Sequence, residues 1–432
     1  MFSPLLNDDS GNQLASPQQN RPVHSWVNIA LILILLAISF GISCTFGAFF
    51  TTLRYEFGWS HATTSALFSL HLLTAGIFSL LSIWTINNYG TKWIVFIMGI
   101  ISGLSLFLCS HVEHGWQLFL VYGVLLSLST GVAGIIVMSI CHKCFHRRIG
   151  TSIGVISIGV GLGIAAIFPA ESWLISKYGW QDAFLISSVL AWCLMLPASL
   201  FLKETSNEIV DIPYTEPFPY ENGLGCSPVS RPSSTQNSMH TLNYLLSFGI
   251  LFAYSFCFYM VLSHFIPRLE SMGFDSVDAG ATLGLMGLAI VFSRLMIGFS
   301  GDALDKKPVA MIFVLLHAMA LFWLVDSDDM WMFYLFATVY GTTLGGIDLP
   351  ISAVLGNDIR FWKADTRLLI VISGWFLGAG AGPLFTGLVL DHTGNYEFAF
   401  FFGGTIMVLA AIFIWGMKLH QQHTLESKEV DP

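Results

Sequence analysis

Two charged residues lie inside long apolar stretches of the chain, and their side chains allow ligand binding and proton transfer. Arg294 lies in residues 280–297, GATLGLMGLAIVFSRLMI, and Asp348 lies in the apolar residues 330–356. An arginine guanidinium can bind a carboxylate through two parallel hydrogen bonds, and a buried aspartate can take up a proton. The two residues are therefore candidates for substrate binding and proton coupling respectively. The structural alternatives are a permanent salt bridge between them, or an arginine that reaches toward the polar surface.

Three more side chains in or near apolar stretches are candidates for contact with the same ligand. They are His264, Tyr340 and Trp375. His264 is better placed for this than His71 and His317, the other histidines of such stretches. The structural alternatives are a neutral histidine bonded to a neighbouring helix and an aromatic side chain that faces lipid.

A polar turn follows the Arg294 stretch and has a counterpart in the first half of the chain. The turn is residues 298–307, GFSGDALDKK, and the counterpart is residues 83–92, IWTINNYGTK. A shift of 215 positions (302 − 87) sets Asn87 under Asp302, and Gly90 lies in the same turn as Asn87. A carboxylate at a helix end can bind a neighbouring helix terminus or a basic side chain. We therefore expect Asp302, Asn87 and Gly90 to act in gating.

The composition places these residues in a membrane protein. Of 432 residues 54% are hydrophobic and only 10% are charged, whereas about 25% are charged in a typical soluble domain. Twelve stretches have about the length that crosses a bilayer, and a lipid-facing backbone must form its own hydrogen bonds, so we predict twelve helices. The predicted spans are residues 27–51, 64–86, 93–111, 116–140, 150–173, 183–202, 242–266, 279–300, 308–325, 330–356, 368–390 and 398–417.

The lysine and arginine residues predict how the chain crosses the membrane. With the N-terminus inside, the connections on the cytoplasmic side hold fourteen of them and those on the outer side hold three. Because basic residues collect on the cytoplasmic side, we expect both termini to be cytoplasmic.

A polar stretch with five prolines, residues 204–240, divides the spans into two sets of six and is typical of a flexible linker. The predicted organisation is a cytoplasmic tail (1–26), an N-terminal six-helix bundle (27–203), a cytoplasmic linker (204–240), a C-terminal six-helix bundle (241–418) and a cytoplasmic tail (419–432). Two halves related by a constant shift are an arrangement of many secondary transporters, in which the substrate binds between the repeats.

Other chemistries have little support in the sequence. Cys141, Cys144 and His146 have part of the spacing of a zinc site, but no second ligand pair follows, so we expect no metal. There is no GxSxG motif and no phosphate-binding loop, which argues against an enzyme or an ATP-driven pump. We expect no cofactor, and the lack of basic patches argues against nucleic acid.

Glu171, near the end of the fifth span, is a candidate gate or interface residue.

Several motifs resemble those of the major facilitator superfamily. The turn at 298–307 is similar to the loop between the second and third helices of each half in that superfamily. In the first-half copy, Asn87 and Asn88 stand where the superfamily prefers Asp and Arg. The resemblance implies the major facilitator fold of two six-helix bundles.

Three further stretches resemble the monocarboxylate porters and their oxalate–formate exchanger relatives. They are residues 46–60, 148–159 and 293–298. In those porters an arginine of the eighth helix binds the substrate carboxylate, and Arg294 occupies the matching position. Vertebrate members carry an acidic residue one turn earlier, where this chain has Ile290. A proton mechanism that depends on that carboxylate is therefore not carried over.

The sequence as a whole favours a secondary active transporter of a small, anionic substrate in the cell membrane, driven by protons through alternating access. A transporter of the same fold for an amino acid, another metabolite or a drug is the first alternative. A membrane sensor that transports nothing is the second, and it gives no reason for the charges at Arg294 and Asp348.

Overall fold

A computed structural model of the protein describes residues 22–89, 91–133, 149–202, 234–300, 306–346 and 366–416. Within these ranges all regular secondary structure is helical. The predictions for Gly90, Asp302 and Asp348 fall outside these ranges, as does the possible metal site at Cys141 and Cys144, and Asn87 lies in a helix where its side chain is not described.

The described helices follow one another without intervening strands. They are α1 (Pro22–Cys44), α2 (Phe46–Phe57), α3 (His61–Tyr89), α4 (Thr91–Ser110), α5 (Gly115–Leu120), α6 (Ile149–Tyr178), α7 (Trp180–Phe201), α8 (Ser234–Ser271), α9 (Ser276–Ser300), α10 (Lys306–Val325), α11 (Met330–Gly345), α12 (Thr366–Thr393) and α13 (Glu397–Gly416). A π-helical segment, Val121–Leu126, continues α5 into a helical stretch described as far as Ala133.

Eleven of the described helical stretches are long and apolar enough to cross a membrane. They coincide with predicted spans, and α11, with 16 described residues, lies within the predicted tenth span. Trp415, Phe201 and Leu81 are 72%, 70% and 60% exposed on the outside of the bundle, which suits lipid rather than water. The predicted all-α membrane protein is confirmed. α8 begins at Ser234, inside the predicted linker, since a helix forms its hydrogen bonds internally and can extend beyond the bilayer.

The same pairs of spans pack in both halves of the chain. Counted within each half, the first span packs against the fifth, the third against the sixth, and the fourth against the second and third. In the first half these pairs are α1 with α6, α4 with α7, and the π-helical segment with α3 and α4. In the second half they are α8 with α12, α10 with α13, and α11 with α9 and α10. The repeated packing agrees with the constant shift between the two halves of the sequence.

Glycines allow some of these pairs to touch backbone to backbone. The clearest case is the contact of α12 with α8, where three glycines four residues apart face backbone oxygens. A Cβ atom would lie 2.6, 2.3 and 2.2 Å from the carbonyl oxygens of Phe248, Phe252 and Phe256 at Gly374, Gly378 and Gly382 respectively. No larger side chain fits at these positions unless the helices separate.

Candidate functional site at the boundary between the halves

Three helix pairs make most of the contacts between the first half (α1–α7) and the second half (α8–α13). They are α2 with α8, α3 with α12, and α6 with α9. We call the end of the bundle where α3 begins and α12 ends the Asp391 end. The close contacts across the boundary run from this end inward as far as Gly76 with Phe376 and Gly161 with Val291. A substrate path between the halves has to run along this boundary.

The pair of α6 and α9 is packed too closely to admit a ligand. A Cβ atom at Gly287 would lie 2.4 Å from the amide nitrogen of Ala165 and 2.6 Å from the carbonyl oxygen of Gly161. Closer to the Asp391 end, a Cβ atom at Gly280 would lie 2.3 Å from Oγ of Ser172. Backbone contact therefore seals this side of the boundary from Gly280 to Gly287.

Arg294 continues the face of α9 that packs against the other half. Gly280 and Gly287 are seven residues apart, and Arg294 follows Gly287 by another seven, so all three lie on one face of the helix. Val291 of the same face also packs against Gly161 of α6. The side chain of Arg294 is partly buried. This face places the predicted substrate-binding arginine at the boundary between the halves.

A cluster of hydrogen bonds joins α3 and α12 at the end of the boundary. Oδ1 of Asp391 accepts hydrogen bonds from the backbone N–H of His61 at 2.9 Å and from Nδ1 of His61 at 3.0 Å. Oδ2 of Asp391 accepts a hydrogen bond from the backbone N–H of Ala62 at 2.9 Å. The carboxylate of one half thus caps the first turn of a helix of the other half. We call these three residues the clamp.

His264 lies fully buried beneath the clamp and contacts three helices. Its Nε2 lies 3.1 Å from Oγ of Ser65 in α3 and 3.1 Å from the carbonyl oxygen of Pro383 in α12. Its ring also packs against Phe50 of α2, with ring centroids 4.9 Å apart. In this state His264 holds the halves together, and its contact with substrate stays a prediction.

Aromatic side chains cross the boundary deeper in the bundle. Trp375 of α12 contacts Phe258 and Tyr259 of α8, with ring centroids 6.5 and 6.3 Å apart. Tyr259 in turn contacts Phe68 of α3, in the first half, at 6.0 Å. Trp375 is only partly buried. The predicted ligand-binding tryptophan is therefore part of an aromatic layer between the two halves.

Helix rise separates these groups into two layers. Arg294 lies 18 residues (294 − 276) and Trp375 also 18 residues (393 − 375) from the Asp391 end of its helix, which is about 27 Å in each case. His264 lies only 7 residues (271 − 264), or about 10 Å, from that end. Arg294 and Trp375 thus share one depth, and His264 lies between them and the clamp.

Tyr340 lies elsewhere, inside the second half. It is fully buried, and its ring lies 4.2 Å from that of His317 and 4.9 Å from that of Phe336. Nδ1 of His317 is 2.8 Å from the hydroxyl of Thr343. The described contacts of Tyr340 are therefore with the core of one half, and its contact with substrate stays a prediction.

The clamp is a feature of the boundary that the sequence did not indicate. Its partners are 330 positions apart in the chain, so no local spacing connects them. The available signal was that Asp391 ends an apolar span and His61 begins another, at the same predicted side of the membrane.

Comparison with known proteins decides the family. The family model described as Major Facilitator Superfamily matches residues 31–361. The chain belongs to the major facilitator superfamily. Together with the helical fold, this shows a multi-pass transporter of the cell membrane and not an enzyme, as the sequence predicted.

Relatives of this major facilitator protein are monocarboxylate transporters. Monocarboxylate transporter 6 of Homo sapiens is 23% identical over 94% of this chain and 82% of that protein. Monocarboxylate transporter 13 of Rattus norvegicus is 22% identical over 89% of this chain and 86% of its own length. Monocarboxylate transporter 2 of Homo sapiens is 21% identical, over 91% and 86% respectively. The predicted resemblance to this group is confirmed, at low identity.

Solved structures share the fold of this transporter. A bacterial homolog to the human lysosomal transporter Spinster, in an inward-facing and occupied conformation, has a TM-score of 0.65 at 17% identity and covers 91% of this chain and 97% of its own. A D-xylose–proton symporter has a TM-score of 0.67 at 15% identity and covers 90% and 97% respectively. At these identities the likeness concerns the fold alone.

Proposed function

We propose that this transporter moves a small organic anion of the monocarboxylate kind by alternating access, coupled to protons. The observation that carries the proposal is the position of Arg294 on the α9 face that packs against the other half. A guanidinium there can bind a carboxylate with two parallel hydrogen bonds. Trp375 at the same depth offers an apolar surface to the part of the substrate that is not the carboxylate. The named relatives are monocarboxylate transporters, which also supports the proposal.

The Asp391 end faces the outside in this proposal, and both termini and the linker face the cytoplasm. The positive-inside distribution of lysine and arginine supports this orientation. The glycine contacts, His264 and the clamp then form the closed outer gate. Asp302, Asn87 and Gly90 act at the cytoplasmic gate. Transport requires the two gates to open in turn, so that Arg294 is accessible from one side at a time.

Asp348 is the proposed proton-coupling group. On its predicted span it is ten residues (358 − 348) from Asp358, and Arg294 is eight residues (302 − 294) from Asp302, so the two depths agree within about one helical turn. Opposite charges at one depth pair when no substrate is bound. A substrate carboxylate that takes over Arg294 leaves Asp348 without its partner, and Asp348 then binds a proton.

Uptake into proteoliposomes tests the proposed function. The panel holds labelled monocarboxylates, dicarboxylates, amino acids and a hydrophobic drug, each measured with and without an inward proton gradient. We expect uptake of monocarboxylates, accelerated by the gradient. Uptake of an amino acid or of the drug, with no uptake of monocarboxylates, would show that the chain transports another class of substrate. No uptake of any compound would favour a membrane sensor that transports nothing.

Asp348→Asn separates substrate binding from proton coupling. The amide cannot bind and release the proton, so the variant should exchange labelled for unlabelled substrate yet lose the acceleration by a proton gradient. Counterflow exchange and gradient-driven accumulation are measured in the same vesicles. If the variant still accumulates substrate against its gradient when protons are supplied, Asp348 has no coupling role.

A further inference from the structure

A carboxyl group without an ionic partner is buried near the Asp391 end. Glu171 of α6 is 3% exposed, and its Oε1 accepts a hydrogen bond from the hydroxyl of Ser187 in α7. Its Oε2 is buried and has no hydrogen-bond partner. Glu171 forms no ion pair with another residue of the described part of the chain. A single hydroxyl group does not compensate a buried negative charge.

The helices around Glu171 bring no neutralising charge to it. The π-helical segment brings Tyr122, whose hydroxyl is buried without a hydrogen-bond partner. Toward the Asp391 end, the other titratable and charged groups of the helices nearby are the buried thiols Cys44 of α1 and Cys109 of α4, Arg54, Tyr55 and Glu56 of α2, Asp278 of α9, Lys177 and Tyr178 of α6, and Asp182 of α7. The guanidinium of Arg54 lies over the ring of Tyr55 at 5.5 Å. Asp278 and Asp182 are exposed, and the ammonium of Lys177 lies over the rings of Trp173 and Tyr178 at 4.8 and 5.1 Å. No described cation therefore lies within ion-pair distance of Glu171 while this end is closed.

Glu171 is also next to the contact that closes this end. The following residue, Ser172, packs against Gly280 of α9 so closely that a Cβ atom at Gly280 would lie 2.3 Å from its Oγ. That Oγ is buried and has no hydrogen-bond partner either. When α6 and α9 separate, water reaches two polar side chains that have incomplete hydrogen bonding in the closed state. Opening of this end therefore changes the surroundings of Glu171.

We propose that Glu171 is a proton-binding site that controls closure of the Asp391 end. Closure requires the neutral carboxyl, whereas the hydrated, open end stabilises the ionised form. Because the closed state binds this proton more tightly, acid favours closure and alkali favours opening. Because Glu171 is buried while this end is closed, it releases the proton only when the Asp391 end opens again. The proton therefore returns to the side of the membrane from which it came. The inference rests on the proposed alternating access, and it is independent of the substrate and of Asp348.

Infrared spectroscopy tests whether Glu171 holds a proton. The full chain in lipid nanodiscs is titrated, and the carbonyl band of protonated carboxylic acids is followed in difference spectra between acid and alkaline pH. We expect a titrating band that is lost in Glu171→Gln and kept in Glu113→Gln, a matched change of an exposed glutamate at the same end. An unchanged band in Glu171→Gln would overturn the proposal.

Spin-label distances test whether this proton controls closure. Labels replace the exposed Lys177 at the end of α6 and the exposed Met272 between α8 and α9, after the native cysteines are replaced. We expect the population with the short distance to grow as the pH falls in the parent protein and in Glu171→Asp. Glu171→Gln should keep the short distance at every pH. The proposal would be contradicted if the short-distance population of Glu171→Gln depended on pH as it does in the parent protein. It would also be contradicted if this population did not change with pH in the parent protein. Neither readout needs a substrate, so a failed uptake experiment leaves both intact.

Discussion

Asp391 accepts three hydrogen bonds from the opposite half of the molecule, two from His61 and one from Ala62. Asp391→Asn removes the charge and one of the two acceptor oxygens, so it weakens the closed state while the open state is unaffected. The expected cost is about 1 kcal/mol, which corresponds to a shift of about fivefold toward the open Asp391 end. Spin-label distances between Lys177 and Met272 measure the shift.

Asp275→Asn is the matched control for the clamp. Asp275 also accepts a backbone hydrogen bond at a helix start, from Val277 at 3.0 Å, but both residues belong to the second half. This variant should lower thermal stability slightly and leave the balance of open and closed states unchanged. Equal shifts in the two variants would show that the clamp has no special part in closure.

At the scale of single residues, the sequence singled out side chains whose chemistry is unusual for a membrane span. Arg294 stood out because it is a charge among apolar residues, and its helix face agrees with a role at the boundary. His264 stood out as a polar ring in an apolar span, but its contacts with Ser65 and Pro383 join residues 199 and 119 positions apart. Such pairings depend on how the two halves close on each other, which no local pattern of residues specifies.

In the proposed mechanism the interface of α6 and α9 opens and closes, and glycines allow its close contact in the closed state. Gly287→Ala adds a Cβ atom 2.4 Å from the backbone nitrogen of Ala165 in the other half. Backbone atoms cannot move away locally, so this variant should fail to close the Asp391 end and lose transport. Its thermal stability should stay near that of the parent, because alanine favours the helix by about 1 kcal/mol.

Two other glycines are controls for this prediction. Gly378→Ala places a Cβ atom 2.3 Å from the carbonyl oxygen of Phe252 within one half, so it should lower the melting temperature in every state. Gly416→Ala meets nothing within 4 Å and should change neither property. If Gly287→Ala populated the closed state as much as the parent protein does in the spin-label experiment, the contact of Gly287 with Ala165 would not be needed for closure of the Asp391 end.

Helices were predictable because span length and hydrophobicity are local properties of the sequence. The apolar stretches predicted the eleven described helical stretches that are long enough to cross a membrane, and α11 lies within the predicted tenth span. The start of α8 at Ser234 was missed, because polar residues beyond the bilayer carry no hydropathy signal. The separation of α1 from α2 at Thr45, inside one predicted span, was missed as well.

The proposed orientation of the whole molecule in the membrane rests on the distribution of its basic residues. A single cysteine at Ser233 or Gln421, in a background without the native cysteines, should resist an impermeant thiol reagent applied to intact cells. A cysteine at Glu113, an exposed residue of the Asp391 end, should react under the same conditions. Efficient labelling at Ser233 from outside, with Glu113 protected, would reverse the proposed topology.

Anion binding at Arg294 is the central claim for the whole transporter, and equilibrium titration calorimetry tests it most directly. The ligand is the monocarboxylate taken up fastest in the vesicle panel. Arg294→Lys keeps the positive charge and loses the two-pronged contact, so binding should weaken by about 2 kcal/mol, or about thirtyfold in Kd. Arg54→Lys, at the Asp391 end and away from the proposed site, should bind as the parent does. Parent-like affinity in a correctly folded Arg294→Lys protein would contradict the account.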